Sequence, residues 1–350
     1  MRGYGAAWEL DRVRLVSSNS DPQPGRGPIR EGVLALPSPL ALHHGGSLSA
    51  AQLAWRLVGD PALPVVVAIG GISAHRRVFD LEQPERGWWR EVVGPGQALD
   101  TRRCALLGFD YLGAQGDSTA ARAGERFPSL SSYDQAEALA ALLDHLRIAR
   151  IRAIAGASYG GMVALAFGER HGRRVERLLV ISAGDRAHPL ATAWRSVQRR
   201  TVRFALQAGR GADGLELARA LAMTTYRSSE EFAARFDAPP RLAGGEFVFP
   251  VEDYLYARGR DYAARVRPEH FLSLSESIDL HRVDATRVNV PCTVVAVRED
   301  LLVPLCDLRA LVARLPRAEL VEISSPHGHD AFLKEPAQLK PVFDTLYGEL

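Results

Sequence analysis

Gly156-Ala157-Ser158-Tyr159-Gly160-Gly161 sets a serine between glycines, directly after the apolar run Ile151–Ala155 and directly before an amphipathic stretch. A G-x-S-x-G pentapeptide between strand and helix makes a turn too tight for side chains two positions either side of the serine, which accounts for Gly156 and Gly160. Ser158 is then held in strained backbone geometry, its Oγ exposed at the start of a helix and the N–H of Tyr159 facing the place where an oxyanion would form. A serine hydroxyl becomes a nucleophile only when a base takes its proton and an acid orients that base. Two histidines, His327 and His329, fall in a late loop after a strand. His329 is preferred because Gly328 lets the loop approach the turn; His327 is the runner-up. A metal reading of the pair lacks a third ligand cluster. Asp300, at the end of the strand Cys292–Val297, is placed to accept the Nδ1–H of His329, whereas its neighbour Glu299 reads as a solvated carboxylate. Gly70-Gly71-Ile72-Ser73, after the strand Pro64–Ile69, offers exposed backbone N–H groups; Ile72 is the first choice for a second oxyanion donor, and Gly71 the next.

These residues need a scaffold that brings strand ends together. Six short apolar runs read as strands: Pro64–Ile69, Cys104–Phe109, Ile151–Ala155, Arg177–Ser182, Cys292–Val297 and Glu319–Ile323. Helical periodicity covers Tyr133–Leu146, Gly160–His171, Leu305–Leu315 and Pro336–Leu346. Apolar strands alternating with helices predict an α/β fold with a mostly parallel sheet covered on both faces. The first fifty residues read as loop-rich, with Pro22, Pro24, Pro28, Pro37 and Pro39 breaking any long element. Between about Arg186 and Val288 the alternation stops. That stretch is Arg-rich and helical over Thr192–Gln207 and Gly214–Met223, then aromatic and irregular, and reads as an inserted lid. The expected organisation is a core over 1–185 and 289–350, with a helical lid over 186–288.

Composition narrows the partners. The chain has 350 residues, 47% hydrophobic and 24% charged, enough apolar content for a sizeable core. A net charge of +2 gives no field that would draw nucleic acid or an anionic membrane, and arginine outnumbers lysine (only Lys334 and Lys340) as a matter of composition. The apolar run at Leu63–Ile72 falls far short of the ~20 residues of a membrane span. Met1–Arg14 lacks the apolar core of a secretory signal. Cys104, Cys292 and Cys306 have neither disulfide nor zinc spacing, so a reducing cytoplasm is expected.

Further motifs carry a resemblance. Gly87-Trp88-Trp89, Gly94-Pro95-Gly96 and Asp100-Thr101 form a GWW…GPG…DT segment. Tyr111-Leu112-Gly113, Gly116-Asp117-Ser118-Thr119, Thr225-Tyr226-Arg227-Ser228 and Gly328-His329-Asp330-Ala331-Phe332-Leu333 follow. From about Leu36 to the C-terminus the sequence resembles the homoserine O-acyltransferases of α/β-hydrolase fold, which begin methionine biosynthesis. The resemblance implies a catalytic triad of Ser158, Asp300 and His329, and substrate contacts from Arg227 and Asp330. A guanidinium suits the carboxylate of an amino acid and a carboxylate suits its ammonium. Within Trp194-Arg195-Ser196-Val197-Gln198-Arg199, Arg195 resembles the residue of succinyl-transferring members, including serine O-succinyltransferases, where acetyl-transferring members commonly carry Asn. The implied activity is ping-pong transfer from succinyl-CoA to L-homoserine, with no cofactor beyond the acyl-CoA substrate, in a cytoplasmic homodimer joined through its lids. Transfer from acetyl-CoA, transfer to serine, a plain esterase and a non-catalytic ligand receptor are the alternatives. Tyr159 departs from the Met or Leu common in the family, the Gly70–Ser73 loop is shorter than usual, and Val266-Arg267 replaces Phe-Asp.

Overall fold

A computed structural model describes residues 28–60 and 62–347 together with the strand Arg14–Val16. The prolines at 22 and 24 and the stretch read above for a secretory signal, but for Arg14, lie outside the described residues. Nine strands form one sheet: β1 (Arg14–Val16), β2 (Ile29–Ala35), β3 (Gln52–Val58), β4 (Val65–Ile69), β5 (Ala105–Phe109), β6 (Ile151–Ala157), β7 (Val175–Ile181), β8 (Cys292–Val297) and β9 (Ala318–Ile323). Their spatial order is β1-β2-β3-β5-β4-β6-β7-β8-β9. The six strands from β4 to β9 run parallel and are those expected from the apolar runs.

The first fifty residues were expected to be loop-rich without a long element, yet they hold the seven-residue strand β2. β2 and β3 pair antiparallel along seven residues each, from Ile29↔Val58 to Ala35↔Gln52. Pro28 and Pro37 stand outside the strand rather than within it, where their missing N–H removes no ladder bond. β3 continues the sheet by pairing antiparallel with β5.

Along the parallel strands alternate side chains enter different cores. Val67, Ile69, Leu178, Val180, Val294 and Ala296 face one, with helices α1 (Ser132–His145) and α2 (Tyr159–His171). Val66, Ala68, Leu179, Ile181, Val295 and Val297 face the other, with Trp89 and Phe343. Burial on both faces explains why these strands read as unbroken apolar runs.

Between β7 and its sheet neighbour β8 the chain makes helices α3 (Pro189–Gln207), α4 (Gly211–Tyr226), α5 (Ser229–Phe236), α6 (Pro250–Ala263) and α7 (Pro268–Leu280). Val202, Leu215, Ala218, Tyr262, Val266 and Phe271 give this segment a small core of its own. Its second half was expected to be irregular, yet it holds two full helices and a hairpin pairing Arg241–Ala243 with Glu246–Val248. Pro250 and Pro268 are the first residues of α6 and α7, where proline starts a helix instead of breaking one. Helix α8 (Leu305–Val312) links β8 to β9, and the short α9 (Ala331–Lys334) precedes α10 (Pro336–Asp344). No helix among the described residues is long and apolar enough to cross a membrane.

Candidate active site

Ser158 sits at the turn from β6 into α2 with φ +55° and ψ −122°. The strain is held by its neighbours: Ser158 N–H donates to the Ile181 carbonyl (2.8 Å) and Gly160 N–H to that of Gly70 (2.8 Å). A Cβ on Gly156 would collide with the Gly160 carbonyl, and one on Gly160 with that of Ile69, so both glycines are steric requirements. As first residue of α2, Tyr159 has no helical partner for its N–H. Its ring is fully buried and edge-on to Tyr111, and its hydroxyl meets Ser277 of α7 at 2.6 Å.

His329 reaches Ser158 from the loop after β9. Its Nε2 is 2.8 Å from Ser158 Oγ and its Nδ1 is 2.7 Å from Asp300 Oδ2. Asp300 is aimed by the loop after β8, because its Oδ1 accepts the N–H groups of Leu302 (2.8 Å) and Val303 (3.0 Å). Burial opposes the charged imidazole, but the Asp300 carboxylate outweighs it by charge and hydrogen bond and holds His329 above the ordinary histidine value. Gly328, at φ +51°, runs so close to the Tyr226 and Glu299 carbonyls that a Cβ would lie 2.9 Å from the first. His327 goes elsewhere, its Nδ1 2.7 Å from Arg227 Nη1. Glu299 is not a free solvated carboxylate: it accepts the N–H of Ser325 (2.8 Å) and the hydroxyl of Ser324, and so ties the histidine loop to the end of β8.

A cavity of about 200 Å³ opens over Ser158, walled by the Gly71–Ala74 loop, Trp88 and residues of α3, α4, α7 and the histidine loop. Gly71 faces the nucleophile, a Cβ there lying 3.8 Å from Ser158 Oγ, and Ile72 follows it on the wall. The Gly70 carbonyl is turned away to accept the Tyr111 hydroxyl (2.7 Å) as well as Gly160 N–H. Trp88 packs on Gly70 so tightly that a Cβ would come within 2.6 Å of its ring, and donates its Nε1–H to the His75 carbonyl (2.9 Å). The Gly87-Trp88-Trp89 motif therefore shapes the loop beside the nucleophile.

Asp330 lines the cavity, but Arg227 does not. Arg227 lies behind the wall, its guanidinium 3.3 Å from Asp330, 3.2 Å from Glu231 and hydrogen-bonded to His327. The arginine of α4 that reaches the cavity is Arg219, held over the rings of Tyr226 (5.1 Å) and Tyr262 (4.8 Å). Sequence reasoning missed it; the available signal was the seven-residue step from Arg219 to Tyr226, which puts both on one helix face. Arg195 also lines the cavity, from α3, with its Nε 2.8 Å from Asp279 Oδ1.

A hydrogen-bonded serine, histidine and aspartate, carried on the ends of parallel strands beneath a helical insertion, define an alpha/beta hydrolase, and that fold family matches residues 64–336. Homoserine O-succinyltransferase of Xanthomonas campestris pv. campestris is 47% identical over 87% of this chain and 81% of its own length. Homoserine O-acetyltransferase of Thermus thermophilus is 34% identical over 86% and 87%. In fold, the crystal structure of homoserine O-acetyltransferase from Bacillus anthracis aligns with a TM-score of 0.82 over 92% of this chain and 98% of that one, at 18% identity. The chain belongs to the homoserine O-acyltransferase family of α/β-hydrolase fold.

Proposed function

We propose that the chain is a homoserine O-succinyltransferase working through an acyl-serine. The observation that carries this reading is the cavity over Ser158: the Ser158–His329–Asp300 chain opens into one space lined by Arg195 of α3 and Arg219 of α4, besides Arg186 and the Asp185-paired Arg314. An amino-acid acceptor and a dicarboxylic acyl group each bring a carboxylate, and a buried carboxylate left unpaired is costly.

His329 Nε2 takes the Oγ proton as Ser158 attacks the thioester carbon of succinyl-CoA. The N–H groups of Tyr159 and Ile72 hold the tetrahedral oxyanion; losing one such donor costs about 2.7–4 kcal/mol in the transition state. The C–S bond breaks, His329 returns the proton to the thiolate, and CoA leaves. Homoserine then binds with its carboxylate toward Arg219 and its ammonium toward Asp330, with Arg227 holding Asp330 from behind. Its γ-hydroxyl gives a proton to His329, attacks the acyl-serine, and Ser158 leaves with that proton. Residues 186–288 act as the lid that keeps water from the acyl-enzyme. No cofactor is required beyond the acyl-CoA substrate, and the reaction belongs to the cytoplasm, where CoA thioesters are made.

CoA release from succinyl- and acetyl-CoA, each with homoserine, serine or no acceptor, tests the reading. Succinyl-CoA with homoserine is expected to be fastest, and Arg195→Asn to lower succinyl-CoA use at least tenfold more than acetyl-CoA use. Preference for acetyl-CoA makes the chain an O-acetyltransferase, preference for serine a serine O-succinyltransferase, and release indifferent to acceptor a hydrolase. Homodimerisation is part of the proposal. Leu190, Val197 and Phe204 stand seven residues apart on α3, each about half exposed or more, and form an apolar stripe suited to the same stripe of a second copy. Light scattering should give twice 38.2 kDa; a monomer at micromolar concentration contradicts it.

A further inference from the structure

The donor side of the cavity holds more positive charge than its own carboxylate can balance. Asp279, on α7, is the acid in an ion pair with two arginines of α3. Its Oδ1 accepts from Arg195 Nε (2.8 Å) and Nη2 (2.6 Å) and from the Thr192 hydroxyl (2.8 Å), while Oδ2 takes Arg199 Nη1 at 2.6 Å. Arg199 Nη1 also donates to the Ser275 carbonyl (2.9 Å) and approaches its Oγ (3.1 Å). The three charged side chains are only 10–12% exposed. Among the described residues no other carboxylate forms an ion pair with either arginine. The cluster therefore carries one uncompensated positive charge in a largely dry wall. A buried guanidinium without a counter-charge is unfavourable, and the member of the cluster that lines the cavity is Arg195, with Arg199 behind it. With Oδ1 saturated and its Nε and Nη2 engaged, Arg195 keeps Nη1 for an incoming group.

We propose that Arg199 is a positioning residue for donor choice: by sharing Asp279 it leaves Arg195 electrically unsatisfied, and the charge left over takes the distal carboxylate of a dicarboxylic acyl donor. Without Arg199, Asp279 alone would neutralise Arg195, and the arginine would remain in place but lose its pull on an anion. The inference rests on the succinyl-donor reading above and adds the source of the preference. The charge also reaches the chemistry, since Arg195 disfavours the imidazolium of His329 and a seated carboxylate would relieve that effect.

The test compares succinyl-CoA with butyryl-CoA, a donor of the same chain length without the second carboxylate, in kcat and KM separately. The wild type is expected to favour succinyl-CoA at least tenfold in kcat/KM. Arg199→Gln should lose most of that ratio through a higher KM for succinyl-CoA, and Arg199→Lys, which keeps the charge, should restore most of it. Arg195→Asn, which leaves Arg199 and Asp279 as a neutral pair, should lose the ratio as well, and unfolding temperatures for all three identify any variant that fails to fold. Equal loss on both donors in Arg199→Gln, or no loss, overturns the inference. If Arg195→Asn alone loses the ratio, Arg195 acts without Arg199 and the donor reading survives. A wild type with no preference for succinyl-CoA overturns the donor reading itself.

Discussion

Ser158→Ala is expected to reduce acyl transfer at least about 10⁴-fold while leaving the fold intact. Transfer has one nucleophile, and the geometry leaves no substitute. Ser158 Oγ is the atom within 2.8 Å of His329 Nε2, and the elbow presents that position through a backbone strain which alanine must also adopt at φ +55°. Ser73, another serine of the wall, makes no hydrogen bond to His329, whose Nε2 meets Ser158 Oγ. Removing Oγ leaves the Tyr159 N–H and the Arg195 and Arg219 side chains of the cavity in place. The variant should therefore still bind succinyl-CoA with a Kd within a few-fold of the wild type, measured by calorimetry, while steady-state CoA release falls to the limit of detection. Loss of binding together with loss of turnover would mean that the alanine had disturbed the elbow.

Asp300→Asn should cost nearly as much, about 10⁴-fold in kcat, and the structure supplies the reason. Leu302 and Val303 both aim their N–H groups at Oδ1. An asparagine must put its carbonyl oxygen there, since its NH₂ would face two donors, and that leaves the NH₂ against His329 Nδ1. Nδ1 would then have to accept, the ring proton would move to Nε2, and Nε2 could no longer take the proton of Ser158. The pH profile supplies a second readout. A base works only in its neutral form, so wild-type kcat/KM should fall as pH drops through the His329 pKa, which Asp300 holds above the ordinary value of 6.5. Removing the carboxylate removes the main force raising that pKa, so the acid limb of the residual activity should move to lower pH. An unmoved acid limb would mean that another group titrates. Normal turnover in the variant would separate Asp300 from the chemistry altogether.

The elements that carry Ser158 were readable because the glycine spacing around it is itself the signal. Gly156 answers to a collision within the turn, whereas Gly160 answers to the end of β4 and Gly328 to the carbonyls of Tyr226 and Glu299 in other segments, which the linear sequence does not show. The parallel strands announced themselves through burial on both faces. The antiparallel extension β2–β3 did not, because the signal that makes Ile29–Ala35 a strand is a partner whose paired residues lie 17 to 29 positions away, and the prolines flanking it look like breakers in the linear sequence. Arg227 and Arg219 show the same limit at the site. Arg219 lies in the middle of α4 and Arg227 just past its end, and only the three-dimensional placement of Glu231, His327 and Asp330 draws Arg227 behind the wall and leaves Arg219 facing the cavity. Glu299 reads as solvated until β9 is seen to end beside it. Asp279 gave no sequence signal at all; its role depends on two arginines one helical turn apart on another helix.

One measurement bears most directly on whether an acyl group is carried by the protein: intact-mass and peptide mass spectrometry after mixing the enzyme with succinyl-CoA and no acceptor. A covalent intermediate predicts one succinyl group per chain on the peptide containing Ser158, an equal amount of CoA set free, and loss of the adduct when homoserine is added. An unmodified chain that releases CoA only when donor and acceptor are present together would contradict the account.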